Sequence, residues 1–131
     1  MFKRSAIPTL VVGSIVGLFA LSSCGGSDAA SSTVPVDADV TVVAIEGIAW
    51  DAKAYTATAT DGKVIIATTN DSSLPHNLRV LDAAGVENAS TLDIPRRGVV
   101  DSKSFTLAPG SYTMICTIPG HGNMKATLVV S

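Results

Sequence analysis

The hydrophobic and polar positions of this chain follow two different patterns. From residue 40 onward, apolar side chains recur at every second position in short runs, the period of a strand with one face in a core and the other in water. Residues 40–46 alternate and are rich in β-branched side chains, and residues 54–60 alternate more weakly. Asp61-Gly62 then supplies a tight turn into the apolar run 63–69. Further short runs lie at 78–81, closed by Asp82-Ala83-Ala84-Gly85, and at 102–107 around Phe105 and Leu107. After the turn Ala108-Pro109-Gly110 come two more, at 112–116 and 126–130. Seven or eight short strands separated by turn signals predict an all-β sandwich or barrel. No stretch there carries a helical period, although residues 83–92 leave room for one turn of helix.

The amino-terminal pattern is different. Met1-Phe2-Lys3-Arg4 opens with positive charge, and an apolar run over 6–21 follows, interrupted only by Pro8, Thr9, Gly13, Ser14 and Gly17. Positive head, apolar run and small residues in that order are the layout of a secretory signal. The run is shorter than the roughly 20 residues that span a bilayer. Leu21-Ser22-Ser23-Cys24 resembles the bacterial lipobox, which implies cleavage before Cys24 and lipidation of its thiol. Residues 24–39 are small, polar and aperiodic, as expected of a flexible tether. The expected organisation is therefore a signal peptide over 1–23, a tether over 24–39 and a folded domain over 40–131. The protein would be exported and lipid-anchored, facing the periplasm or cell exterior.

Processing alters the charge balance. Losing Lys3 and Arg4 leaves seven basic residues against eleven acidic ones, so the net charge moves from −2 to −4. Arg96-Arg97 is then the remaining basic pair, read as a solvated loop tip. A mildly acidic surface argues against nucleic acid, whose backbone calls for clustered Lys and Arg. The cysteine count matters more. With Cys24 lipidated, Cys116 stands alone in an oxidising compartment, as a buried inert thiol or as a metal ligand.

The neighbours of Cys116 favour the ligand. On a strand ending at Cys116, the side chains of Tyr112, Met114 and Cys116 share one face, so the sulfur is shielded by the core. Beyond it, Thr117-Ile118-Pro119-Gly120-His121-Gly122-Asn123-Met124 must be a loop, because Pro and Gly break any regular element. The other histidine of the chain, His76, lies about 40 residues earlier in Leu74-Pro75-His76-Asn77. One thiolate, two imidazoles and one thioether suit copper: sulfur favours Cu(I), and imidazole also accepts Cu(II). A solvated His and a core-filling Met explain each residue singly. They do not explain why one of only two histidines falls five residues after the one remaining thiol.

The pattern Pro75-His76-Asn77, then Tyr112-x₃-Cys116, then Cys116-x₄-His121-x₂-Met124 before a final β run resembles the cupredoxins, the family of plastocyanin, azurin and amicyanin. The resemblance covers residues 40–131 and implies a Greek-key β-sandwich with one type 1 copper ion held by His76, Cys116, His121 and Met124. It implies too that Asn77 ties the two ligand loops together, with Pro75 also supporting the site from outside direct ligation. The four residues between Cys116 and His121 are similar to azurin and the two between His121 and Met124 to amicyanin, so the axial Met124 distance follows from neither. No second Cys lies between Cys116 and His121, which argues against a binuclear centre.

The resemblance further implies a monomer that shuttles single electrons between redox partner proteins, with His121 as the electron port. It implies no enzyme activity, since four ligands leave the metal no open position. The alternative is a lipoprotein that buffers or delivers copper, but such proteins favour exposed Met- or Cys-rich segments, and the mature chain has only Met114 and Met124. A metal-free structural sandwich would make all four candidate ligands coincidental.

Overall fold

The computed structural model describes residues 33–131. The signal and lipidation readings, and the tether up to residue 32, fall on residues outside that range. Residues 33–39 form turns and coil with mostly exposed side chains, ending where the Asp39 backbone joins Ile65.

Strands form where apolar residues alternate. They are β1 (Val40–Ile45), β2 (Ala49–Trp50), β3 (Ala54–Ala57), β4 (Lys63–Asn70), β5 (His76–Leu81), β6 (Glu87–Ile94), β7 (Val100–Thr106), β8 (Gly110–Ile115) and β9 (Lys125–Val130). They build two mixed sheets, ordered β2-β1-β4-β7 and β3-β9-β8-β5-β6. β1 runs parallel to β4 and β3 parallel to β9, and the other neighbours are antiparallel. The inward residues of both sheets form one core, with Val42, Ile66 and Phe105 from the first and Leu78, Met114 and Leu128 from the second all fully buried.

The Asp61-Gly62 turn forms as expected. Thr60 and Lys63 exchange both backbone hydrogen bonds, with φ of 51° at Asp61 and 73° at Gly62. Positive φ at both central residues is the type I′ turn that matches the twist of a hairpin. Two expectations change. The segment 83–92 holds no helical turn: Asp82 Oδ1 accepts the Ala84 and Val86 amides, a tight turn results, and the chain enters β6 at Glu87. β6 is an edge strand whose sheet neighbour is β5, and its weak alternation hid it. The described residues hold nine strands, the seven runs above together with β6 and with β2, a two-residue strand too short to show a period.

Candidate metal centre

The sheet register brings the two ligand segments together. β5 begins at His76 and β8 ends at Ile115, and these antiparallel neighbours pair Arg79 with Ile115 and Val80 with Met114. Continuing that register would set Asn77 opposite Thr117. The ladder stops there and the Asn77 side chain replaces it. Its Oδ1 accepts the Thr117 N–H at 2.8 Å, and its Nδ2 donates to Thr117 Oγ1 at 3.0 Å. Asn77 thus links the start of β5 to the segment that follows β8. Asn77→Ala leaves the Thr117 amide without its acceptor, and we expect a loss of about 1–3 kcal/mol in the metal-free protein by urea unfolding. Loosening the loops should also cost about 10- to 100-fold in metal affinity, measured by competition titration.

The loop from Cys116 to Met124 folds back on itself. Cys116 N–H donates to the Met124 carbonyl at 3.2 Å, His121 N–H to the Ile118 carbonyl at 3.0 Å, and Met124 N–H to the His121 carbonyl at 3.0 Å. Gly120 takes a φ of 86°, a left-handed conformation that favours glycine and lets so short a loop reverse. The reversal sets His121 Nδ1 3.6 Å from Cys116 Sγ. The rings of His76 and His121 lie 4.9 Å apart, centroid to centroid. One ligand atom from each of His76, Cys116 and His121 falls within 4.8 Å of the other two.

All these side chains are shielded. Exposure is 2% for His76, 6% for Cys116, 6% for His121 and 0% for Met124. His121 keeps its sliver of surface between the exposed Gly120 and Gly122, so it grazes the surface more than it breaches it. Pro75 is exposed and hands the chain into β5.

His76 carries the clearest sign of a missing partner. Its Nε2 lies 2.6 Å from Ser72 Oγ, yet its Nδ1 is buried with no hydrogen-bond partner among the described residues. Burial, then the neighbouring His121, push its proton affinity below the ordinary histidine range, against a smaller opposing pull from Glu46. A neutral ring with an unused buried nitrogen, beside a thiol and a second imidazole, fits a copper ion through the chemistry of its donors.

Sequence reasoning missed the surroundings of that ring. Trp50, from the short β2, sits 6.4 Å from His76, ring to ring. Glu46 accepts the Ser73 amide at 2.9 Å and the Ser73 hydroxyl at 3.1 Å, clamping the loop before His76, and Arg97 pairs with the same carboxylate. Arg97 therefore has a partner, although a pair this exposed contributes at most about 1 kcal/mol. Nothing in the sequence singles out Asn70 or Ser72, because Asn-Asp-Ser-Ser is ordinary turn chemistry.

No protein-family model matches the chain, and no curated protein matches it by sequence. Solved structures do. A dithionite-reduced auracyanin from the photosynthetic bacterium Roseiflexus castenholzii is 23% identical at a TM-score of 0.58, covering 70% of this chain and 94% of its own. The azurin Az-iso2 from the methylotroph Methylomonas sp. strain J is 16% identical at a TM-score of 0.60, over 73% of this chain and 99% of its own. A reduced Cu(I) form of a mutant amicyanin is 18% identical at a TM-score of 0.55, over 77% and 90%. All three are cupredoxins. With its two packed mixed sheets and a cluster of two histidines and a cysteine at one end, this chain has the cupredoxin fold.

Proposed function

We propose that this protein is a blue-copper electron carrier. His76, Cys116 and His121 would hold one copper ion, and Met124 would add a weak thioether donor. The observation that carries the reading is the buried, unpartnered Nδ1 of His76, gathered with Cys116 Sγ and an imidazole nitrogen of His121. Copper bound there supplies reversible one-electron chemistry. The chain's part is to keep the donors still. Asn77 binds one loop to the other, the Cys116–Met124 backbone bond closes the second loop, and the core excludes water. Donors that cannot rearrange serve both oxidation states with little reorganisation. Burial of all four also favours a carrier over a protein that buffers or delivers copper, because delivery needs ligands that an acceptor can reach.

His121 would be the electron port. Leu74, Pro75, Pro119 and Gly120 are exposed on the two ligand loops, a small and mostly apolar surface suited to brief docking of redox partner proteins. Equimolar Cu(II) should produce an intense visible band and a reversible one-electron couple; a colourless complex would sink the reading. Met124→Leu should keep the colour and raise the potential, because losing a sulfur donor destabilises Cu(II) more than Cu(I). Met124→Gln should lower it by offering a harder oxygen. If both leave the potential where it was, Met124 is core filler and the Pro75 carbonyl becomes the axial candidate.

For location, the proposal is an exported monomer anchored through lipid on Cys24, with residues 25–39 as its tether. Two acyl chains hold stably where one gives only marginal binding. Cys24→Ser should therefore release a soluble, copper-binding protein on cell fractionation, and a variant that stays on membranes after a high-salt wash would refute the anchor.

A further inference from the structure

The ring of His76 has two nitrogens, and a cation can use Nδ1 only if the proton sits on Nε2. The loop before His76 decides where that proton goes. Ser72 is 1% exposed, and its hydroxyl lies among four polar groups: His76 Nε2 at 2.6 Å, Asn70 Oδ1 at 2.9 Å, and the carbonyl and amide of Leu74, each at 3.2 Å. A hydroxyl has one proton to give. Asn70 shows which acceptor takes it. The Asn70 Nδ2 donates to the carbonyls of Leu74 at 2.7 Å and Ile94 at 3.0 Å, which uses both amide protons and fixes the orientation of the side chain. Asn70 Oδ1 is then an acceptor, receiving the Ser72 amide at 2.8 Å and the Ser72 hydroxyl. The Leu74 carbonyl is farther away and already takes an Asn70 proton.

With its own proton committed to Asn70, the Ser72 oxygen can only accept from the remaining neighbours, the Leu74 amide and His76 Nε2–H. The opposite arrangement fails twice. A proton on Nδ1 would be buried with no acceptor, and Ser72 Oγ and Asn70 Oδ1 would face each other at 2.9 Å without a proton between them. Asn70 is itself 1% exposed and closes β4. Its backbone N–H donates to the Val99 carbonyl at 3.0 Å, and its carbonyl accepts the Gly98 N–H at 2.8 Å, so the relay is built on a sheet rather than on a free loop.

We infer that Ser72, held by Asn70, is a positioning residue that keeps His76 in its Nε2–H form and thereby presents Nδ1 to the metal. The proton assignment stands on the metal-free geometry; its use in copper binding rests on the function proposed above. Accepting from Nε2–H also makes Nδ1 a stronger donor.

The test starts with the unaltered protein, ¹⁵N-labelled and metal-free, at about pH 8, above the ordinary histidine range near 6.5. A long-range ¹H–¹⁵N spectrum of the two histidines should show His76 protonated at Nε2 alone, with that proton slow to exchange with water. Ser72→Ala should lose the slow exchange and bind Cu(I) about 10- to 100-fold more weakly in a chelator competition, with a higher potential; Ser72→Thr, which keeps the hydroxyl, should recover both. A proton on Nδ1 of the unaltered protein overturns the inference, even if the protein turns blue with copper. So does a Ser72→Ala variant with the original affinity and exchange. If the unaltered protein binds no copper yet shows the protected Nε2–H, the electron-carrier reading fails while the proton assignment holds. Should Ser72→Ala not fold, the spectrum of the unaltered protein still decides.

Discussion

Cys116→Ser is expected to abolish the intense visible band of the copper-loaded protein while leaving the sandwich folded. The band of such a site comes from charge transfer between a thiolate and Cu(II), and a hydroxyl stays protonated near neutral pH and makes no such bond. The exchange is nearly isosteric. Cys116 is 6% exposed and its sulfur sits 3.6 Å from His121 Nδ1, so a serine hydroxyl there has a hydrogen-bond partner at hand and the core loses little. Two measurements on one sample separate site from fold: the visible spectrum with Cu(II), and the thermal midpoint without metal. Full colour in the variant would refute the assignment of Cys116. Lost colour together with a collapsed midpoint would mean that the thiol matters chiefly to packing.

Phe105→Ala should have the largest effect on stability. Phe105 lies on β7 opposite Val64 of β4, has no exposed surface and is among the largest buried side chains. Truncating a buried Phe costs about 3–5 kcal/mol, from lost transfer energy and from the cavity left behind. Domains of this size have only about 5–15 kcal/mol in hand. At about 4–8 °C per kcal/mol, the midpoint should fall by roughly 12–40 °C. Urea unfolding of the metal-free protein checks this without interference from copper binding. A loss below about 1.5 kcal/mol would show that the core closes over the gap and that the two sheets are less tightly packed than the burial indicates.

Much of this molecule was legible in the alternation of side chains. Strands β1, β4, β7, β8 and β9 lie where short apolar runs predict them, and the Asp61-Gly62 turn has the backbone its residues demand. Such features are local: a β-branched run or a Gly at positive φ acts through its own sterics, whatever surrounds it. The spacing of Cys116, His121 and Met124 was legible for the same reason, since nine consecutive residues on a Gly-Pro loop cannot lie far apart. Trp50 and the role of Glu46 were not legible, because each acts only through partners distant in sequence, and β6 was not because an edge strand alternates only weakly.

The sequence by itself determined the chemical inventory: one thiol and two imidazoles in the domain, a thioether beside them, and an all-β chain to carry them. Only the tertiary structure decided that they meet. His76 and Cys116 are forty residues apart, and they converge because β5 and β8 pair antiparallel in a ladder that ends at Arg79 and Ile115 and that the Asn77 side chain extends to Thr117. The proton on His76 is likewise a tertiary property. It depends on where β4 ends, on the two carbonyls that orient Asn70, and on the one acceptor left for the Ser72 hydroxyl. Hydrogen-bond donors and acceptors are written in the sequence, but which of them remains unpaired once the interior has closed is settled by packing.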